Sequence, residues 1–294
     1  MTPPTGPARA TLIYNPRSGK GRASHILAIA EKVARDTGAQ LRLREVEGLG
    51  HGTELARQAV AEGMDRVISV GGDGTNNAIA QGLVNTTVPM GVVAMGSGNG
   101  YARSLKLPLA PEQALRHALT GTAQAMDVCF LNDRLFLGTA GLGFDARVAH
   151  AFDKSRGRGM IGYARIILRE ILGAAPMRMV VKANHETSEV QALMLVFCNT
   201  REFGNGAEIS PGSLPDDGWA ELRVVRKPPF LGLLKAFVQI YTGRADRSPH
   251  IRNIVTRQAT VWQEGTLAHL DGEPVDVGHE VIFKLEPKRL WVVR

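Results

Sequence analysis

Residues 66–77 read RVISVGGDGTNN, a stretch in which strand-forming residues lead directly into a glycine cluster. The run RVISV is typical of a buried strand, and we predict a helix that begins near Thr75. Glycine permits positive φ angles and close approach of the backbone, while exposed N–H groups at a helix start attract phosphate. A tight β–α turn is the alternative interpretation, although two glycines would suffice for it. We therefore predict that an anionic ligand is bound by Gly71, Gly72, Asp73, Gly74, Thr75, Asn76 and Asn77.

Strand-like and helix-like segments alternate around this loop from residue 10 to about residue 127. The apolar runs ATLIY, LRLREV, RVISV and VPMGVVAM are separated by helical stretches that begin at Arg22, near Gly52 and after Thr75. This alternation predicts a parallel sheet with helices on both faces, which is a Rossmann-like α/β domain. Ligands bind such sheets beyond the carboxyl ends of the strands, where glycine-rich loops lead into helices.

Two further glycine-rich loops follow other predicted strands. GSGNG, residues 96–100, comes after VPMGVVAM and precedes a helix that carries Arg103, so we expect it at the same sheet edge as GGDGTNN. Two loops that converge on one crevice favour a nucleotide over a single phosphate. The opening strand leads into NPRSGKG, residues 15–21, which contributes Asn15 and cationic side chains but is not a G-x-x-x-x-G-K-[ST] loop. An exposed basic turn is the alternative interpretation of this third stretch.

The pattern changes after residue 127 to short β-like runs separated by Gly, Asn and Pro, which predicts an antiparallel, β-rich domain. The runs are VCFLN, RLFLGTAG, MRMVVKA, VQALMLVFCN, AELRVV, ATVWQE and VIFKLE. Two apolar helical candidates, residues 160–172 and 230–241, interrupt them. We accordingly predict a nucleotide-binding α/β domain at 1–128 and a β-rich substrate domain at 129–294, with the last strand as a candidate to return to the first domain.

Composition and charge exclude several classes of protein. The chain has 294 residues, of which 44% are apolar and 21% charged, and this rules out intrinsic disorder, collagen and coiled coil. The net charge of +7 favours phosphorylated, nucleic-acid or anionic-membrane partners. No basic stripe with interleaved aromatic residues is present, so we expect no nucleic-acid partner. The only cysteines, Cys129 and Cys198, lie far apart in apolar stretches, and the N-terminus lacks a signal-peptide core, which together predict a cytoplasmic protein.

Taken with their order and spacing, these motifs resemble the diacylglycerol kinase catalytic family, which includes bacterial lipid kinases and the sphingosine and ceramide kinases. The resemblance covers nearly the whole chain, through NPRSGKG, GGDGTNN, GSGNGYAR, SLPDDG at 213–218 and LDGE at 270–273. The family implies an α/β nucleotide-binding domain followed by a β-sandwich domain, with ATP between them and a lipid hydroxyl as the acceptor. It also implies Mg²⁺.

The resemblance assigns roles to particular residues. It implies that the ATP phosphates contact residues 71–77, that Ser97 and Asn99 belong to the second nucleotide loop with Gly96 and Gly98, and that Glu273 is the general base. Asp73 would hold metal or share the role of base. The loop at 214–219 resembles the family's structural magnesium loop, with the carboxylate of Asp217 and the carbonyls of Leu214 and Trp219 as ligands, although a plain Asp-Gly turn is the alternative interpretation.

The chain departs from the family's pattern at several positions. Many bacterial relatives have Glu where this chain has Ala78, and Asp where it has Gly100, so two carboxylates near the expected metal are absent. Ser97 stands where many relatives have Thr, and Val46 where bacterial relatives often have Thr. These departures put the usual magnesium network in doubt and leave the lipid unassigned.

Three other interpretations compete with a lipid kinase. An NAD kinase shares the Gly-Asp-Gly loop, but its second loop would read Asn-x-Gly-x-Leu-Gly-Phe, which GSGNGYARSL does not. Phosphofructokinase shares a similar loop, but the β-rich second half and LDGE argue against it. A catalytically silent nucleotide- or lipid-binding module would explain Ala78 and Gly100. The two apolar helical candidates at 160–172 and 230–241 are each bordered by basic residues. This arrangement suits peripheral contact with the inner face of an anionic membrane, although such helices more often cover a core.

Overall fold

A computed structural model of the chain describes residues 8–18, 23–153, 171 and 173–294. The chain forms two compact units. One comprises Met1–Met126 together with Lys288–Arg294, and the other comprises Asp127–Pro287. The strands that begin and end the second unit, Ala123–Leu131 and Glu280–Val293, run across these boundaries.

The N-terminal unit is built on four parallel strands. Their order in the sheet is β2-β1-β3-β4, and each neighbouring pair runs parallel. The strands are β1 (Arg9–Tyr14), β2 (Gln40–Glu45), β3 (Arg66–Gly71) and β4 (Met90–Ala94), and the helices are α1 (Ala23–Thr37), α2 (His51–Ala61), α3 (Asp73–Leu83), α4 (Gly100–Ser104) and α5 (Pro111–Thr120).

Continuous burial of β3 and β4 explains why their sequences are mostly apolar. Every residue of RVISVG and of MGVVA is buried, as expected for inner strands of a parallel sheet. α5 packs closely on β4 because Gly91 has no side chain: a Cβ there would lie 2.6 Å from the Cβ of Ala118. The buried guanidinium of Arg66 donates to the carbonyls of Ala118 and Gly121 at the end of α5.

The C-terminal unit contains two layers of antiparallel strands. One sheet has the order β12-β11-β10-β7-β14-β15, and in the other layer β8 pairs with β9 and β13, and β13 with β16. The elements are β5 (Ala123–Leu131), β6 (Arg134–Phe136), β7 (Thr139–Gly143), α6 (Phe144–Asp153), β8 (Met177–Ala183), β9 (Glu186–Ala192), β10 (Met194–Cys198), β11 (Ala220–Val225), α7 (Phe230–Tyr241), β12 (Ile251–Thr256), β13 (Gln258–Gln263), β14 (Leu267–Leu270), β15 (Glu273–Asp276) and β16 (Glu280–Val293).

The two layers bury one shared hydrophobic core. Phe197 of β10 stacks on Phe283 of β16 with ring centroids 4.6 Å apart, and Phe136 contacts Phe283 at 6.2 Å. Both cysteines are buried and free, and burial raises the pKa of the Cys129 and Cys198 thiols. The predicted fold class, a Rossmann-like parallel sheet followed by an antiparallel β-sandwich, is therefore confirmed.

Some predicted elements differ in detail from the observed ones. RLFLGTAG forms two strands, β6 and β7, because the N–H groups of Leu137 and Gly138 donate to Asp271. VQALMLVFCN is divided at Leu193, whose N–H donates to Val225 and whose carbonyl accepts from Phe144. The helix predicted at 230–241 is confirmed as α7. The candidate at 160–172, apart from residue 171, and the basic residues Lys154, Arg156 and Arg158 before it lie outside the described residues. Within the described part of the chain, no helix is long and apolar enough to cross a bilayer.

Candidate functional site

The loops that follow β3 and β4 touch each other at two glycines. Gly71 pairs with Ala94, and the N–H of Met95 donates to the carbonyl of Gly71 at 2.7 Å. Beyond this point the backbones of the two loops are so close that a Cβ on Gly96 would lie 2.7 Å from Cα of Gly72. The prediction that both loops line one sheet edge is therefore confirmed, and the two glycines serve the contact between the loops.

Asp73 links the first loop to the second. Its Oδ2 accepts the N–H of Gly100 at 3.1 Å, and its Oδ1 accepts the N–H of Tyr101 at 3.2 Å. Asn99 orders the second loop from within, because its Oδ1 accepts the N–H of Gly96 at 2.8 Å. Asn99 itself has a left-handed backbone with φ of 54°, which asparagine tolerates better than most residues. The carboxylate of Asp73 thus has a structural task beside any role toward a ligand.

The first turn of α3 carries the other predicted residues of the GGDGTNN loop. Gly71 leaves room for Thr75, since a Cβ on Gly71 would lie 2.4 Å from the Thr75 side chain. The amide of Asn15 donates to the Thr75 hydroxyl at 3.4 Å, so the loop after β1 joins the other two. Asn76 is buried and its Oδ1 accepts the Ser69 hydroxyl at 2.7 Å, which directs that side chain toward β3.

This edge of the N-terminal sheet is suited to phosphate. No side chain caps the N-terminus of α3, where the N-cap residue is Gly72. The first N–H groups of a helix have no partner within the helix, and the helix dipole adds positive potential there. Ser97 is exposed on the neighbouring loop, and Gly74 and Asn77 are partly exposed in the first turns of α3. The arrangement fits a phosphorylated ligand held by backbone amides.

In the C-terminal unit, LDGE forms a hairpin that is anchored at its turn. Leu270 pairs with Glu273, and the two residues between them have positive φ angles, 51° for Asp271 and 87° for Gly272, as in a type I′ turn. The carboxylate of Asp271 accepts the N–H groups of Leu137 at 2.9 Å, Gly138 at 2.7 Å and Thr139 at 3.2 Å. Glu273 is exposed at the start of β15. The turn therefore has a fixed position within the unit.

The predicted magnesium loop at 214–219 is ordered by a buried acid that sequence reasoning missed. Asp127 donates its N–H to the carbonyl of Pro215 at 2.7 Å and accepts the N–H of Gly218 at 2.6 Å. Asp217 accepts the N–H of Trp219 through Oδ1 at 2.9 Å, and Leu214 and Trp219 are exposed. Arg257 donates to the carbonyl of Gly218 and stacks 4.3 Å from the centre of the Trp219 ring.

These residues supply a limited donor set for a cation. Across the part of the chain that the structure describes, no three His, Cys, Asp or Glu side chains are grouped as a metal site. A Mg²⁺ ion at 214–219 would therefore depend on Asp217 and on carbonyl oxygens, which are ligands that Mg²⁺ accepts. Burial, and the nearby charge of Asp217 to a smaller extent, raise the pKa of Glu221.

A buried pair of titratable side chains, which the sequence did not predict, lies next to the LDGE hairpin. Asp145 at the start of α6 and His269 on β14 lie 3.2 Å apart and are almost completely buried. His269 stands two residues before Asp271, so its position in the sequence offered a signal. Its partner is 124 residues away and could not be identified without the fold.

Two family models match the chain and together span most of its length. The diacylglycerol kinase catalytic domain matches residues 9–131, and the YegS C-terminal NAD kinase beta sandwich-like domain matches residues 138–294. The first match contains the three glycine-rich loops, and the second contains the loop at 214–219 and the LDGE hairpin.

Individual proteins give the same result. The chain is 29% identical over 285 residues to a "probable lipid kinase YegS-like" of Enterobacter sp. (strain 638), covering 93% of this chain and 92% of that protein. It is 30% identical over 267 residues to a protein of the same name from Chromohalobacter salexigens, covering 86% and 85%. Among solved structures, a diacylglycerol kinase from Bacillus anthracis str. Sterne has the same fold, with a TM-score of 0.79, 20% identity and coverage of 97% and 96%.

Proposed function

We propose that this chain, which belongs to the diacylglycerol kinase catalytic family, transfers the γ-phosphoryl group of ATP to a hydroxyl group of diacylglycerol or a related lipid. The relatives are named as probable lipid kinases, and this supports the class of reaction. The choice of ATP, of the acceptor and of the residues that act on them is the proposal.

The observation that carries the proposal is the contact between the two glycine-rich loops. Gly72 and Gly96 bring the loops after β3 and β4 together beside the uncapped N-terminus of α3. A row of backbone N–H groups at this place suits a polyphosphate, which needs several donors spaced along the chain. Phosphoryl transfer depends mainly on alignment and on stabilisation of charge on the transferring oxygens.

In the proposed reaction the lipid hydroxyl oxygen bonds to the γ-phosphorus as the bond from that phosphorus to the β-phosphate oxygen breaks. ADP leaves, and the hydroxyl proton passes to a carboxylate. We assign this role to Glu273, because it is an exposed carboxylate on a hairpin that Asp271 holds in place. Asp73 orders the nucleotide loops through Gly100 and Tyr101 and is the second candidate for the base.

Mg²⁺ is part of the proposal, since Asp217 and the carbonyls of Leu214 and Trp219 offer the oxygen ligands that it prefers. An ion held there would have the structural role that the family resemblance implies, because it would gather the oxygen atoms of this loop around one centre. Asp127 orders the loop at 214–219 through its hydrogen bonds with Pro215 and Gly218.

We expect an anionic membrane to contact the exposed face of α7, which includes Phe237 and Val238. Ile240 packs on the core of its unit, whereas Phe237 and Val238 on other faces of the helix are about half exposed, at 47% and 50%. Residues 226–247 contain five Lys or Arg and one acid, Asp246, which pairs with Arg223 at 2.6 Å. Exposed apolar side chains within a basic segment suit an anionic lipid surface.

The deciding experiment incubates the protein with γ-labelled ATP, Mg²⁺ and separate acceptors, and resolves the labelled products. The acceptors are diacylglycerol, monoacylglycerol, phosphatidylglycerol, sphingosine, ceramide and NAD. We expect a labelled lipid, and we expect Glu273→Gln to lower kcat by roughly 10²–10⁴-fold with ATP affinity nearly unchanged.

Each alternative gives a different result in the same assay. Labelled NADP would identify an NAD kinase-like enzyme. ATP or lipid binding without any labelled product would identify a silent binding module. Wild-type turnover by Glu273→Gln on the accepted lipid would transfer the role of base to another group, with Asp73 the leading candidate.

A further inference from the structure

Asp145 and His269 form a buried pair beside the turn of the LDGE hairpin. Nε2 of His269 lies 3.2 Å from Oδ2 of Asp145, and the two side chains are only 4% and 9% exposed. The other oxygen of Asp145 accepts the N–H of Ala146 at 2.9 Å. Burial of a carboxylate without a hydrogen-bond partner costs free energy. The contact with His269 avoids that cost and thereby stabilises one orientation of the imidazole.

Gly141 of β7 leaves the space in which the pair lies. A Cβ at this position would be 1.7 Å from Oδ2 of Asp145 and 2.7 Å from Nε2 of His269. Gly141 stands directly opposite His269 in the pairing of β7 with β14. Any side chain at residue 141 would therefore displace one or both members of the pair.

The second nitrogen of His269 faces the turn. The N–H of Gly272 donates to Nδ1 of His269 at 3.3 Å. A nitrogen that accepts a hydrogen bond carries no proton, so the proton of the neutral imidazole belongs on Nε2, where it is donated to Asp145. One imidazole thus connects a buried carboxylate to the backbone immediately before Glu273.

We propose that His269, oriented by Asp145, is a positioning residue that fixes the turn at 271–272 and through it the direction of the Glu273 carboxylate. Asp271 holds one side of this turn by accepting from residues 137–139, and His269 holds Gly272 on the other. The proposal depends on the proposed role of Glu273 as base. Small displacements of a reacting group reduce turnover strongly, and about 1 Å can cost roughly 10²-fold.

Two substitutions separate the contacts of the imidazole. The amide oxygen of His269→Asn can replace Nδ1 and accept from Gly272, but its side chain is too short to reach Asp145. The amide nitrogen of His269→Gln can replace Nε2 and donate to Asp145, but nothing then accepts from Gly272. We expect the Tm of His269→Gln to equal that of the wild type, its kcat to be about 10- to 10²-fold lower, and its KM for ATP to be unchanged. We expect His269→Asn to have a lower Tm than the wild type but a kcat within about threefold of it, because the contact with Gly272 is the one that positions the turn.

Two measurements on the folded protein make the test independent of any lipid. The ¹⁵N spectrum of wild-type His269 should show an unprotonated Nδ1. The amide of Gly272 should exchange with solvent faster in His269→Gln than in His269→Asn. A protonated Nδ1, equal exchange in the two variants, or kcat that falls in parallel with Tm would overturn the proposal.

Failure of the proposed function is recognised separately. If Glu273→Gln retains wild-type turnover, Glu273 is not the base, and this inference falls with it whatever the exchange data show. If Glu273→Gln loses turnover but His269→Gln does not, Glu273 stands as the base and only the positioning role of His269 is excluded.

Discussion

Gly96 gives the clearest test of the two glycine-rich loops. Its absent side chain is directed at Cα of Gly72, 2.7 Å from where a Cβ would be, and at Oδ1 of Asn99, 2.9 Å away. Gly96→Ala should push the loops apart and weaken ATP binding about 5- to 150-fold, which corresponds to the roughly 1–3 kcal/mol typical of overpacking. Calorimetric titration with ATP measures this.

Gly48→Ala is the matched control, because a Cβ on Gly48 meets no atom within 4 Å. Its affinity for ATP should equal that of the wild type. Equal affinities for Gly96→Ala and Gly48→Ala, with both proteins folded, would remove the contact between the loops from the nucleotide site.

The glycine loops could be predicted from the sequence, but the contact that each of their residues makes could not. The order strand, glycine, helix is local, so GGDGTNN could be recognised without a fold. The bonds from Asp73 to Gly100 and Tyr101 join residues 27 and 28 positions apart and were beyond sequence reasoning. The missing acid at residue 78 also has a packing context, since a Cβ on Gly52 of α2 would meet Cβ of Ala78 at 3.4 Å.

The loop at 214–219 leads to a prediction about magnesium. Asp217→Asn keeps an oxygen that can accept the N–H of Trp219 but removes the charge that a cation needs. Mg²⁺ should therefore raise the Tm of the wild-type protein above its value in chelator, and Asp217→Asn should lose that increase. Asp216→Asn, with the same change of charge one residue away, is the control and should keep it. An identical response of all three proteins to Mg²⁺ would leave this segment an ordinary turn.

The exposed face of α7 leads to a prediction about membrane binding. Replacement of Phe237 and Val238 by Ser should lower partitioning onto vesicles containing phosphatidylglycerol by at least about tenfold, since two half-buried apolar side chains contribute roughly 1.5–3 kcal/mol. Sedimentation with the vesicles measures this. Salt should weaken the binding of the wild type, because the basic segment acts through screened charge.

The control for α7 is Ile282→Ser, which removes another exposed apolar side chain, 56% exposed, from the same unit. It should bind vesicles as the wild type does. If the α7 variant and the control bind equally well, the exposed face of α7 is not the membrane contact.

The spacing of apolar residues along the sequence predicted most helices and strands, including α7 and β8 at their observed bounds. It could not show where two strands divide, because the divisions at 137–138 and at Leu193 depend on hydrogen bonds to residues far away in the chain. It also could not show the pairing of β7 with β14, which brings Gly141 opposite His269. Local patterns predict elements, whereas registers arise only when distant strands meet.

The C-terminal residues 288–294 belong to the N-terminal unit. Leu290, Val292 and Val293 are completely buried, and Val292 pairs with Met90 of β4 in parallel. The N–H of Asn85 donates to the carbonyl of Arg289, and the N–H of Arg294 donates to the carbonyl of Thr122, both at 2.9 Å. The sequence pattern made the last strand a candidate to return to the first domain, but it could not show that this strand pairs with β4, because that register arises only when distant strands meet.

This assignment predicts that Leu290→Ala destabilises the N-terminal unit by about 2–5 kcal/mol, the usual cost of removing a fully buried leucine side chain. Trp291 is the only tryptophan of that unit, so its fluorescence reports urea unfolding there once Trp219 and Trp262 are replaced by Phe. Ile282→Ala, an exposed position on the same strand β16, should change stability by no more than about 0.5 kcal/mol. A loss for Leu290→Ala as small as that of the control would mean that residues 288–294 do not contribute to the core of the N-terminal unit, and the strand's end would have to be assigned to the other unit.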